Sequence, residues 1–82
     1  MNAVYNGKKI DNVRVLGYQN GDSIVGIANE FGVPPLEIAK RVLFLVFKTK
    51  KITRYMKQNV KDGMANNEWV SRWKKFNVTI DE

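Results

Sequence analysis

The chain has 82 residues, fourteen Lys and Arg against eight Asp and Glu, a formal charge of +6, and neither cysteine nor histidine. That length limits it to one domain, residues 1–82, which buries roughly 60–65% of its unfolded surface. The composition excludes disulfides, thiolate chemistry, the usual zinc ligand sets and imidazole acid–base catalysis.

Residues 1–21 read as extended structure. Asn6-Gly7 is a tight-turn signal between Val4-Tyr5 and Lys8-Lys9-Ile10. Asp11-Asn12 suggests a second turn. Val13 and Val15, followed by Tyr18, have the alternation of a short half-buried strand, weakened at Gly17 and closed by Asn20-Gly21.

The first helix is expected from Asp22 or Ser23, either of which can accept from free first-turn amides. Ile24, Ile27, Ala28 and Phe31 fall at i, i+3, i+4 and i+7, one apolar face, and Gly32 ends the helix. Pro35 suits the first turn of a second helix, with Pro34 stiffening the segment before it. That helix is expected to run to about Thr49. The apolar run Val42–Phe47 equally suits a buried strand, with Lys48 to Lys51 as a turn and Ile52 to Met56 pairing back. A helix from about Ile52 to Lys61 would end at Asp62-Gly63. Asn66 or Asn67 then caps a last helix. There Trp69, Val70, Trp73 and Phe76 form an aromatic stripe suited to packing, and Asn77 to Ile80 reads as a terminal strand. The expected class is therefore α+β, mainly helical: a helix-turn-helix core of three to four short helices, a small N-terminal hairpin or strand, and a C-terminal strand.

Charge is unevenly distributed. Lys40, Arg41, Lys48, Lys50, Lys51, Arg54, Lys57 and Lys61 fall in a stretch without a single acid. Such a block attracts polyanions, whether nucleic acid, an acidic protein face or anionic lipid, or it serves as a solvated helix face. Lys40, Arg41, Lys48, Lys50, Lys51, Arg54 and Lys57 are the candidate phosphate contacts, because guanidinium forks onto two oxygens and ammonium acts as a point charge. Tyr55, Phe44, Trp69 and Trp73 have the chemistry to stack on unpaired bases, although the spacing of the two tryptophans suits one buried helix face.

Ile24–Leu43 resembles the helix-turn-helix of small bacterial and phage DNA-binding proteins. Ile27 and Ala28 match its apolar fourth and fifth positions, Phe31-Gly32-Val33 its turn, and Ile38 its apolar fifteenth. The resemblance implies DNA contact from the positions occupied here by Pro34, Pro35, Leu36, Ala39, Lys40 and Leu43. Only Lys40 among these donates a hydrogen bond, so phosphate contact is expected to dominate over base readout. Val13–Val33, with Gly21-Asp22-Ser23-Ile24 and Phe31-Gly32-Val33, also resembles the first half of a LysM peptidoglycan-binding module; its Asn-containing loop and Gly-Gln-x-Leu closing strand have no counterpart here.

The expectation is thus a small DNA-binding protein of phage or bacterial regulator type, with a homodimer formed through the apolar excess at 42–47. The alternative is a protein-interaction module that docks on an acidic partner, and LysM-like peptidoglycan binding is a third reading. No nucleophile–base pair, phosphate loop or carboxylate cluster is visible, so no enzymatic activity, cofactor or metal is expected. No secretory leader and no apolar run of the ~20 residues a membrane span requires is found, which places the expected protein in the cytoplasm.

Overall fold

The computed structural model describes residues 2–47 and 52–75. A two-stranded antiparallel hairpin, β1 (Ala3–Tyr5) and β2 (Lys8–Ile10), leads into five helices: α1 (Asn12–Val15), α2 (Ile24–Phe31), α3 (Pro35–Val42), α4 (Arg54–Lys61) and α5 (Asn67–Lys75). The class is α+β and mainly helical. In the hairpin, Ala3 pairs with Ile10 and Tyr5 with Lys8. Asn6 and Gly7 both take positive φ, 49° and 79°, the backbone that a two-residue hairpin turn requires.

The strand expected over Val13–Tyr18 is not formed, although the LysM resemblance also leans on it. Asp11 caps α1 by accepting from the Val13 amide at 3.3 Å, and residues Leu16–Asn20 continue as a 3-10 segment. The Asp-Asn pair serves turns and helix caps through the same side-chain chemistry. Val13 is 79% exposed, so the Val13/Val15 alternation defines no face. Val15 and Tyr18, three apart, are the buried pair.

Helix α2 forms where its local chemistry requires. Ser23 Oγ accepts from the Gly26 amide at 2.9 Å; Ile24, Ile27 and Ala28 are fully buried. Gly32 sits at φ 69°, left-handed, and Lys8 Nζ donates to its carbonyl at 2.8 Å, covering the helix end. The start of α2 is tied to the distant chain by Ile24 N–H donating to Ala65 O at 2.8 Å.

Pro34, extended, precedes α3, and Pro35 occupies its first turn. The alternative of a strand at 42–47 is resolved in favour of a helix: Leu43–Phe47 prolongs α3 as a π-helical turn. Thr53 is extended, and α4 starts at Arg54 rather than Ile52 because Thr53 caps it, accepting from Met56 N–H at 3.1 Å. Asn66 Oδ1 accepts from the amides of Glu68 and Trp69 and so opens α5. The expected terminal strand at 77–80 lies outside the described residues.

One core joins these pieces. Ile24, Ile27, Ala28, Ile38, Ala39, Val42 and Leu43 from the α2–α3 pair meet Met56 and Val60 of α4 and Val70 and Trp73 of α5. Trp73 Nε1 donates to Asn59 Oδ1 at 2.6 Å inside that core. At the surface, Arg14 clamps α1 to both ends of α2, bonding Asp22 at 2.7 Å and forking onto Glu30.

The Arg14 clamp carries a pH signature. Hydrogen bonding to Arg14 holds the Glu30 carboxyl below its ordinary value, so the unfolded chain takes up that proton first. The stabilisation is complete above the ordinary carboxylate range and is lost as pH falls through the folded value. Arg14→Gln should therefore melt below wild type at about pH 6, with the gap closing towards about pH 3. Thermal unfolding followed by circular dichroism at the two pH values checks this. A constant gap would mean that Arg14 acts through packing rather than charge.

Candidate nucleic-acid interface

The exposed side of α4 is built by its own periodicity. Met56, Asn59 and Val60 turn inward, leaving Arg54, Tyr55, Lys57, Gln58 and Lys61 outward. Arg54, Gln58 and Lys61 recur at i, i+4 and i+7 along one ridge. Lys57 lies to the side nearer α3. The first acid is Asp62, which closes the helix and accepts from Gln58 Nε2 at 2.9 Å.

Lys57 and Lys61 border a groove of about 490 Å3. Its other walls are Val25 of α2, Pro34, Pro35 and Leu36 at the start of α3, and Val60 and Gly63. Among the described residues no carboxylate lines it. The Pro34-Pro35 turn thus faces the basic edge of α4 across an apolar floor, an arrangement that brings together segments more than twenty residues apart.

The remaining candidate cations are distributed differently. Lys40 is exposed, with its Nζ 3.3 Å from Glu37 Oε2. Arg41 is half-buried; its Nε donates to Asn12 Oδ1 at 2.7 Å and its guanidinium lies 4.9 Å from the centre of the Phe44 ring. Both line a second groove of about 460 Å3 between α3 and the hairpin, with Glu37 and Val4 among its walls. Among the described residues the two grooves share no lining residue, so Lys40 and Arg41 border one groove and Lys57 and Lys61 the other. Lys48, Lys50 and Lys51 lie outside the described residues. Lys61 was not among the candidate contacts; its spacing of four from Lys57 is the signal that would have selected it.

The positions from which a helix-turn-helix reader would touch bases have separate fates. Pro34 is exposed, and Pro35 and Leu36 are half-buried. Ala39 and Leu43 are fully buried in the core. The second and later turns of α3 therefore offer no apolar or polar reading face along that row. Of the two tryptophans, Trp73 is buried, whereas Trp69 is half-buried. Trp69 meets Tyr55 with ring centres 6.4 Å apart and lies beneath the Arg72 guanidinium at 4.4 Å.

Among the described residues no group of three metal-ligating side chains occurs, and no helix is long and apolar enough to cross a membrane. Comparison of the chain with protein-family models, curated proteins and solved structures returns no match.

Proposed function

We propose that the chain is a small nucleic-acid-binding domain, acting on DNA, that holds the phosphate backbone through α4. The observation that carries this reading is the presence of Arg54, Lys57 and Lys61 on the exposed side of α4, beside a groove whose described lining includes two lysines and no carboxylate. Three cations on two turns of helix match the density of charge along a nucleic-acid strand, and each phosphate neutralised releases condensed counterions. The burial of Ala39 and Leu43 supports backbone contact over base readout.

Titration of duplex DNA at several salt concentrations tests the proposal. Wild type should give a log–log slope of about −3 or steeper. The double variant Lys57→Ala/Lys61→Ala should lower its magnitude by about 2 and weaken affinity roughly tenfold or more at about 50 mM salt. Both side chains are exposed, so the helical circular dichroism should not change. Absence of wild-type binding at about 50 mM salt would sink the reading.

The apolar floor of the groove favours a second reading, docking of an acidic partner with an apolar side. Phosphate has no use for Leu36, whereas such a partner would pack on it. Leu36→Gln separates the two: DNA affinity is indifferent to it, and a protein partner is lost.

A further inference from the structure

The Tyr55–Trp69–Arg72 cluster joins α4, which carries the proposed phosphate contacts, to α5: Tyr55 is on α4, and Trp69 and Arg72 are on α5. Tyr55 follows Arg54 directly and is 36% exposed. It sits on the edge of α4 that faces α5, because Asn59, four residues on, bonds Trp73 of α5. Trp69 is half-buried and Arg72 exposed. The trio is thus a surface of two aromatic rings and a planar cation, one step from Arg54 on the outward ridge.

A core needs no such surface. The buried requirement of α5 is met by Val70 and Trp73, 3% and 1% exposed. Trp69, adjacent to Val70, is half-buried, and its ring meets the Arg72 guanidinium and the Tyr55 ring. Flat aromatic and guanidinium groups beside backbone-holding cations are what an unpaired base requires. The base stacks on the rings while its phosphates lie along the charges, and the arrangement is indifferent to base identity. Duplex DNA, with its bases already stacked, can use only the charges.

We infer that Tyr55 and Trp69, with Arg72, form a stacking platform for an unpaired base, so that the domain prefers single-stranded to double-stranded nucleic acid. The inference rests on the proposed phosphate contact through α4. It adds a choice of strand form to a site that otherwise distinguishes nothing.

The probes are an oligothymidylate of about a dozen nucleotides and a mixed-sequence duplex of equal length, within the site sizes such surfaces cover. At equal salt the oligothymidylate should bind more tightly and quench the tryptophan emission. Trp69→Leu should weaken single-strand binding roughly 5- to 150-fold, leaving the salt slope and the duplex affinity unchanged. Trp69→Phe should restore most of the loss. In that variant the emission of the remaining Trp73 should no longer respond to the ligand. If Trp69→Leu loses its helical circular dichroism, Tyr55→Leu at the more exposed ring gives the same comparison. Equal affinity for the two probes, with duplex-like behaviour unaffected by either substitution, overturns the platform and leaves the phosphate reading intact. Failure of both probes to bind at about 50 mM salt overturns the phosphate reading and the platform with it.

Discussion

Trp73→Ala should remove most of the stability of the domain. Trp73 is the largest of the fully enclosed side chains, and its indole N–H is bonded to Asn59 within the core. Truncation leaves a cavity between α5 and α4, at about 3–5 kcal/mol for a buried tryptophan. It also leaves the Asn59 carbonyl without its donor, a further loss of about 1–3 kcal/mol for a buried acceptor. A domain of this size holds roughly 4–12 kcal/mol in total, so the variant should be largely unfolded or close to it at 25 °C. Trp73→Phe keeps most of the volume and should cost markedly less. Urea unfolding followed by far-ultraviolet circular dichroism measures the difference. A midpoint near that of wild type would mean that α5 is not part of the cooperative core. Trp69 offers the contrast: half-buried rather than enclosed, it should tolerate truncation far better.

Ala39→Lys should unfold the domain rather than strengthen DNA binding. In a helix-turn-helix reader this position faces the major groove, where a lysine would be a gain. Here Ala39 has no exposed surface and lies between Ile38 and Val42 in a core that also receives Met56 and Val60. A lysine adds four methylenes to a packed site and leaves an ammonium without water or a carboxylate partner. Overpacking together with a buried unpaired charge belongs to the small set of changes costing about 4 kcal/mol or more. Loss of the thermal transition is the expected observation. A folded variant with raised affinity for duplex DNA would show instead that α3 presents this face to the ligand.

These two cases mark how far the residues themselves could be read. Ser23, Gly32, Pro34-Pro35, Thr53 and Asn66 act on amides or carbonyls within a few residues of themselves. The limits of α2, α3, α4 and α5 follow from such local chemistry. The Asn6-Gly7 hairpin belongs with them. The same locality misleads at Asp11-Asn12, where one side-chain chemistry serves both a turn and a cap. The choice fell to Val15 and Tyr18, which find the core only if 12–20 is helical. The π turn at Leu43–Phe47 has no local marker at all.

The basic character of the chain was legible in kind and its placement was not. An acid-free run of cations sets a local positive charge from composition alone, because formal charge does not depend on the fold. Which cations share a face depends on partners far along the chain. Arg41 is drawn to Asn12, twenty-nine positions away, and Arg14 to Glu30, sixteen away. Trp69 and Trp73 differ by four residues and have the same side chain, yet one bonds Asn59 in the core and the other meets Arg72 at the edge. The sequence by itself determined α2, the start of α3, the start of α5, the hairpin turn and the sign of the charge, since these follow from neighbours along the chain. Only the tertiary structure decided that Ala39 and Leu43 are interior, that Arg41 is tied to Asn12, and that Lys57 and Lys61 stand opposite Pro34-Pro35. Each of those depends on which helix packs against which, and that is set by the shape of a common core rather than by any one segment.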